Sequence, residues 1–589
     1  MGMETQLIEK DKKRFVLQPN LDDYTFLYQN FNWKDVHQEI EWFQDGKLNA
    51  AYNAVDRHTK NHNRNKVALI YEATDGRVEK YTYLDLKHMT NKFANLLRKL
   101  SVKKGDRIFL FLPRIPAVYA SFLGTLKVGA IASTLFSAFG EEALLDRLGN
   151  SKAKVVITTP DLKERIDKIK DKLPDLTYVV VVGQGNAKME KKEGQSAMPI
   201  VIDYEDEMAQ ASKEFEVEKT NPEDHAFLLY TSGSTGKSKG VVHAHMAILQ
   251  QHYTHKLIHD IHPQDVYWCT ADHGWVTGIS YGILGPLSNG ATILLYEGRF
   301  DPEGWYSALE KHEVNIWYTA PTAIRMLMKA GGEIVKKYNL SNLRHIYSVG
   351  EPLNPEAIRW GLETLKLPFH DTWWQTETGS MLISNYPSMP IKLGSMGKPF
   401  PGIVAAILDD EGKELPVDVE GNLAIKKGWP SMMRTLWGDY ERYEKLFKGE
   451  WYITGDRAKK DSDDYFWYIG RADDVIKTSG ERVGPFEVES VLIEHPAIAE
   501  AAVIGKPDEL RGEIIKAFVT LRTGHDSNPE LEEDIKKFVK KRLAAHAYPR
   551  EIAFVDKLPK TRSGKIMRRL LKARELGLPE GDISTLDET

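Results

Sequence analysis

Tyr230-Thr-Ser-Gly-Ser-Thr-Gly-Lys-Ser-Lys-Gly240 places three glycines, two lysines and five serine or threonine hydroxyls in eleven positions. A loop of that composition can wrap an anion with backbone N–H groups, hydroxyls and positive charge, and phosphate is the anion it suits. The apolar runs Ala226-Phe-Leu-Leu-Tyr230 and Gly240-Val-Val-His243 read as two strands, with the loop as an open hairpin turn between them. A P-loop would need glycine five residues before Gly236; that position is Thr231, so the P-loop spacing fails. The plainer alternative is a flexible Gly/Ser connector. Two lysines within the run, and strands on both sides of it, weigh against that alternative.

Outward from the loop, β-type runs alternate with helical stretches. Val67-Ala-Leu-Ile-Tyr71, a helix through Leu84 to Leu100, Arg107-Ile-Phe-Leu-Phe-Leu112, an apolar helical stretch to Leu126, Val155-Val-Ile157 and Tyr178-Val-Val-Val-Val182 follow in series. Such alternation predicts an α/β body with largely parallel sheets. Residues 1 to about 65 are aromatic and polar without a clear period and are expected to pack on that body as an N-terminal lead; Gly183 to Gly194 reads as a solvated surface loop. Near the end, Leu531, Ile535, Phe538, Val539 and Leu543 share one helical face after the breaker Asn528-Pro529. With Ala502-Val-Ile504 and Ile515-Lys-Ala-Phe-Val519 they predict a small α+β domain, its boundary near Gly470 to Asp474. The expected division is 1–65, 66–472 and 473–589.

Composition narrows the function classes. The chain has 589 residues, 42% hydrophobic and 28% charged, too many for one ordinary domain and normally proportioned for a globular protein. A formal net charge of -5 gives no overall footprint for nucleic acid. The single cysteine, Cys269, excludes an internal disulfide framework and fits a reducing compartment, so the cytoplasm is expected. Lys10, Lys12, Lys13 and Arg14 are followed by no apolar core of a secretory signal, and the apolar stretch from Ile115 to Leu126 is too short to span a bilayer.

Four further clusters carry chemistry. Ser348-Val-Gly-Glu-Pro-Leu353 ends an apolar run in a tight turn with a carboxylate; alone it is an ordinary turn. In Asp371-Thr-Trp-Trp-Gln-Thr-Glu-Thr-Gly379, Trp373 and Trp374 are neighbours in an extended segment and so point to opposite faces. Both could be core residues, but the hydroxyls and carboxylate that follow are unusual company for a core strand. Glu377 is a candidate Mg²⁺ ligand or water orienter, since Mg²⁺ on nucleotide phosphates takes few protein carboxylates. Tyr452-Ile-Thr-Gly-Asp-Arg457 with Gly470-Arg-Ala-Asp-Asp474 offers an aspartate after a glycine turn and an arginine, which suit ribose hydroxyls and phosphate; each alone reads as a surface turn. Leu558-Pro-Lys-Thr-Arg-Ser-Gly-Lys-Ile-Met-Arg569 is a basic turn without interleaved aromatics, better suited to one anion than to a nucleic acid.

These five motifs, in this order and preceded by Lys47-Leu-Asn-Ala-Ala-Tyr52, closely resemble the adenylate-forming superfamily, and within it the AMP-forming acetate:CoA ligase branch, over nearly the whole chain. The resemblance implies a large AMP- and acyl-binding domain over 66–472 and a mobile small domain over 473–589 that carries a catalytic lysine and takes one orientation per half-reaction. It implies ATP, Mg²⁺ and CoA as reactants, with acetate adenylated and then passed to the CoA thiol. Thr231, Ser232, Gly233, Ser234, Thr235, Gly236, Lys237 and Lys239 would hold the β and γ phosphates, and Lys565 would meet the α-phosphate and the carboxylate. Gly350, Glu351, Pro352, Asp371, Thr372 and Trp373 would line the adenine, Asp456 and Arg471 the ribose, and Arg482 the phosphates. Thr376 and Glu377 would serve the phosphate and Mg²⁺ side.

By the same resemblance Val276, Thr277, Val349 and Trp374 form the acyl pocket, closed by the indole against chains longer than propionate. Asp473 matches the hinge and Gly480 the glycine beside the pantetheine channel. The turn around Lys565 resembles a site of silencing by lysine acetylation, which implies acetylation and deacetylation enzymes as partners. The chain departs from the pattern at Ser238, where proline is usual, at His273 before Gly274-Trp-Val, and at Glu481, where histidine is frequent. The arginines that hold the CoA nucleotide in some relatives have no match. A propionate-preferring ligase is the alternative within the enzymes, and a nucleotide sensor without catalysis the alternative outside them.

Overall fold

The computed structural model describes residues 7–10, 17–183, 199–231, 238–478, 481–522, 524–543, 547–561, 565–581, 583 and 586, with the backbone alone at 482. Most of the expected loop at 183–194 therefore lies outside the described residues.

Two mixed sheets dominate. In the first the strands run Thr435–Leu436, Lys239–Ala244, His225–Thr231, Ile131–Thr134, Arg107–Phe111, Val155–Thr158, Tyr178–Val181 and Ile200–Asp203. Every junction outward from His225–Thr231 to Ile200–Asp203 is parallel, and the two before it are antiparallel. The second sheet runs Lys398–Pro399, Ile383–Ser384, Phe369–Trp373, His345–Val349, Ile316–Thr319, Val266–Cys269, Thr292–Tyr296, Val67–Glu72 and Val78–Thr82, parallel from Phe369–Trp373 to Val67–Glu72 and antiparallel at its edges. This is the α/β architecture with largely parallel sheets that the alternating pattern predicts.

The runs form these elements for local reasons. Tyr83–Lys99 starts at a reciprocal cap, in which Thr82 and Asp85 each accept from the other's backbone, and buries Leu86, Phe93, Ala94 and Leu97 on one face. Ala117–Lys127 is mostly apolar and buried along its whole length, as a helix enclosed by the body must be, and its one charge, Lys127, pairs with Asp56 at 2.8 Å. One large apolar cluster joins residues of both sheets to the N-terminal segment. That segment has no regular period and folds as short helices, among them Tyr24–Asn30 and Ala50–Ala54, pinned by aromatic contacts: Phe31 meets Trp33 edge-on at 4.9 Å, and Trp33 stacks on Phe400 at 6.1 Å.

A five-stranded antiparallel sheet follows, in which Trp451–Lys460 pairs with Phe466–Arg471. The last sheet contains Ile476–Thr478, Glu481–Val483, Ile498–Asp508, Gly512–Leu521 and Glu551–Phe554. Pro529–Arg542 packs on it through buried Ile535 and Val539, with Leu531, Phe538 and Leu543 half-buried around them. Among the described residues no helix is long and apolar enough to cross a membrane.

Candidate active site

The strands Ile316–Thr319, His345–Val349 and Phe369–Trp373 lie side by side and parallel, so their C-terminal ends open on one edge. In open α/β sheets that edge is where ligands bind. Gly350, in the left-handed region at φ 91°, turns the chain away at the end of its strand. Glu351, next in line, accepts from the Thr322 hydroxyl at 2.6 Å and pairs with Arg325 at 2.7 Å, both from the start of the helix Pro321–Ala330. Pro352 is half-buried beside it.

The quoted loop joins antiparallel strands, with Thr231 opposite Lys239 and Tyr230 opposite Gly240. Ser232, Gly233, Ser234, Thr235, Gly236 and Lys237 lie outside the described residues. Just after them, the Ser238 hydroxyl donates to Asp146, and Lys239 forms an ion pair with Glu377. Glu377 is buried in the single turn Thr376–Thr378. Burial pushes its carboxyl up, but the charge and hydrogen bond of Lys239 outweigh burial and hold it below the ordinary value. Among the described residues no group of three or more His, Cys, Asp or Glu side chains is gathered as for a metal ion. The donor set that Glu377 offers is one ionised carboxylate beside the loop, which fits a Mg²⁺ ion held mainly by phosphates.

Asp456 is the hub of the opposite wall. It follows Gly455, at φ 74°, where a Cβ would come within 3.0 Å of the Arg471 guanidinium. Its Oδ2 accepts from the Trp373 indole at 3.0 Å and from Gln375 at 2.9 Å, and its Oδ1 pairs with Arg471 at 2.9 Å. Burial raises the Asp456 carboxyl above its usual value against the pull of Arg471 and the Trp373 N–H. Gln375 is itself fixed, since Tyr452 donates to its Oε1 at 2.8 Å.

The two adjacent indoles diverge as alternation requires. Trp373 reaches Asp456, whereas Trp374 donates to the Tyr318 hydroxyl at 3.1 Å and lies perpendicular to Tyr281 at 5.1 Å. Val276, Val349 and Trp374 belong to one buried cluster, and Thr277 is buried at the start of the short helix Val276–Ile279. Asp371 is buried, with its Oδ1 accepting the Thr372 amide at 3.0 Å; burial pushes its carboxyl up to about 7. The Thr372 hydroxyl donates to the Ser348 carbonyl at 2.7 Å.

Lys565 comes from the C-terminal sheet region, its amide donating to the Thr561 hydroxyl at 3.1 Å. Lys565 is exposed. Desolvation lowers its ammonium below the ordinary value, Arg471 and Arg568 act in the same sense, and Asp456 and Glu351 oppose them. A lysine of the last hundred residues thus feels the charges of Asp456 and Glu351, two of the carboxylates of the site. Asp473 is exposed, 3.7 Å from Arg471. Arg482 lies in the strand Glu481–Val483, its backbone opposite Lys477; Gly480 lies outside the described residues.

Sequence reasoning missed Thr322, Arg325 and Tyr318, and gave no role to Gln375 and Tyr452 although both stand inside motifs it singled out. Thr322 and Arg325 carry a local signal, three residues apart in the first turns of a helix that opens on Pro321. Tyr318 and Tyr452 carry none, because their partners are 56 and 77 residues away.

The family described as AMP-binding enzyme matches residues 55–437, and the AMP-binding enzyme C-terminal domain matches 487–565. The chain is 56% identical to an acetyl-coenzyme A synthetase of Bacillus subtilis (strain 168), over 97% of this chain and 98% of that protein. It is 44% identical to an acetyl-coenzyme A synthetase of Methanothrix thermoacetophila, over 98% and 92%. Among solved structures, an acyl-CoA synthetase of Brucella canis superposes with a TM-score of 0.73 at 36% identity, covering 95% of this chain and 99% of that one. An anthranilate CoA ligase in complex with anthranoyl-AMP superposes at 0.81 and 29% identity, covering 90% and 98%.

Proposed function

The chain belongs to the AMP-binding enzyme family, and on that premise we propose that it activates acetate with ATP and loads it onto CoA. A carboxylate resists thiol attack because its leaving group would be oxide. In the first step an acetate oxygen attacks the α-phosphorus, the bond to the bridging oxygen breaks, and pyrophosphate departs, leaving acetyl-AMP. In the second the CoA thiol, giving up its proton, attacks the acetyl carbon; the C–O bond breaks and AMP leaves. Mg²⁺ bound with the nucleotide would neutralise charge on the phosphates, with Glu377 as the protein carboxylate beside it.

The observation that carries this reading is the set of contacts around buried Asp456, to Trp373 at 3.0 Å, Gln375 at 2.9 Å and Arg471 at 2.9 Å, with the charges of Asp456 and Arg471 also acting on Lys565. On it, Lys565 would stabilise the charge growing at the α-phosphate as the carboxylate attacks. Asp456 and Arg471 would bind the ribose, and Gly350, Glu351, Pro352 and Asp371 to Trp373 would line the adenine. The loop from Thr231 to Lys239, with Thr376 and Arg482, would hold the phosphates. Trp374, Val276, Thr277 and Val349 would form the acid pocket, and a pinned indole there favours two- and three-carbon acids; one methylene changes selectivity by only about 1–3 kcal/mol. Asp473 would be the hinge and Gly480 would leave room for the pantetheine arm. Division at 65/66 and 472/473, a cytoplasmic location and control by acetylation of Lys565 complete the proposal.

The test is AMP and acyl-CoA formation by purified protein with ATP, Mg²⁺ and CoA across acetate, propionate, butyrate and octanoate. Acetate turnover that collapses by butyrate is the expected result; turnover of octanoate overturns the pocket, and no turnover of any acid overturns the reaction. Lys565→Ala is expected to slow pyrophosphate release about 10²–10³-fold while supplied acetyl-AMP still yields acetyl-CoA.

A further inference from the structure

Trp374 does not hold its position by packing alone. Its indole N–H lies 3.1 Å from the Tyr318 hydroxyl; that hydroxyl lies 2.8 Å from the Thr372 hydroxyl, which in turn lies 2.7 Å from the Ser348 carbonyl. Tyr318 is fully buried, and Thr372 and Ser348 are buried beside it. The chemistry of the two ends fixes every proton between them. An indole nitrogen can only donate and a backbone carbonyl can only accept. Tyr318 must therefore accept from Trp374 and donate to Thr372, and Thr372 must donate to Ser348. The relay crosses three neighbouring strands, Ile316–Thr319, His345–Val349 and Phe369–Trp373, and ends one residue before Val349.

The indole body is braced separately. Tyr281 stands perpendicular to it, and the Tyr281 hydroxyl is fixed by the Met381 amide at 2.8 Å and by Thr254 at 2.8 Å. Packing of a flat ring restrains its plane, whereas the N–H restrains which way the ring is turned within that plane. Losing the acceptor would leave a buried N–H unpaired, which drives the ring to another orientation.

We propose that Tyr318 is a specificity-positioning residue: its hydroxyl sets the orientation of the Trp374 indole, so the chain-length limit of the acid pocket depends on a group that never touches the acid. This rests on the reading of Trp374 as the end of that pocket.

The experiment measures kcat/KM for acetate, propionate and butyrate in the wild type, Tyr318→Phe, Trp374→Gly and the double variant. Tyr318→Phe keeps the ring volume and removes only the hydroxyl. Its butyrate-to-acetate ratio is expected to rise roughly tenfold, the fold-change of one lost buried hydrogen bond, with KM for acetate raised and KM for ATP unchanged. In the Trp374→Gly background the same change should leave the ratio where Trp374→Gly alone puts it, because Tyr318 acts through the indole. An unchanged ratio in Tyr318→Phe, or an additive shift in the double variant, overturns the inference. Thr372→Val, which removes the acceptor of the Tyr318 proton, should shift the ratio in the same direction and decides the matter if Tyr318→Phe does not fold. A wild type that already turns over butyrate as well as acetate defeats the pocket reading itself, which is a different failure.

Discussion

Asp371 shows at the scale of one residue how the cleft departs from ordinary aqueous chemistry. The folded chain keeps its proton up to about 7 because burial disfavours the charge more than the Thr372 amide supports it, whereas an unfolded aspartate releases the proton near pH ~3.9. The folded state therefore binds more protons across that window, and stability falls as pH rises through it. Asp371→Asn removes the titration, so denaturant melts should show the variant gaining on the wild type as pH rises, by at most about 1.4 kcal/mol per pH unit, with the gain levelling above neutrality. A gap that stays constant with pH would mean that the carboxyl titrates alike in both states. The divergence of Trp373 and Trp374 was legible in sequence, since alternation alone separates neighbouring side chains. The grouping of Asp456 with Arg471 was legible too, but that the same carboxyl also takes Trp373 and Gln375 was not, because those partners lie 83 and 81 residues away, in and just after a strand of another sheet.

At the scale of elements, the strand–helix alternation of the body followed directly from periodicity, and so did the hairpin that carries the quoted loop. The short N-terminal helices did not, because aromatic edge contacts such as Phe31 with Trp33 leave no repeat in the sequence. The short helix Val276–Ile279 was also unreadable, being held by the closeness of neighbouring backbone. A Cβ on Gly278 would lie 2.3 Å from the Asp272 carbonyl oxygen and 2.6 Å from its carbon. Backbone cannot step aside as a side-chain tip can, so the helix would have to move, and Val276 and Thr277 with it. Gly278→Ala should cost about 1–3 kcal/mol in urea melts and raise KM for acetate more than KM for ATP. Wild-type stability in that variant would show that the segment yields without cost.

At the scale of the whole molecule, the small C-terminal region meets the body through a few named contacts among the described residues. Asn354 donates to the Ser490 hydroxyl at 2.9 Å, Arg359 lies 3.9 Å from Glu494, and Tyr468 meets Phe486 edge-on at 5.9 Å. Polar and aromatic contacts of this kind resemble those between domains that move, and the charges of Asp456, Arg471 and Glu351 that act on Lys565 belong to the orientation described. If adenylation uses this orientation and thioester formation another, then holding the contact shut should separate the half-reactions. Asn354→Cys with Ser490→Cys, bridged by a short bis-maleimide, provides the hold, and the one native thiol, Cys269, is half-buried elsewhere. The bridged protein is expected to release pyrophosphate from ATP and acetate within about twofold of the unbridged one, while acetyl-CoA formation falls at least about tenfold. The unbridged double variant should do both. Equal loss of both half-reactions would mean the bridge distorts the cleft, and full acetyl-CoA formation under the bridge would mean that one orientation serves the entire reaction.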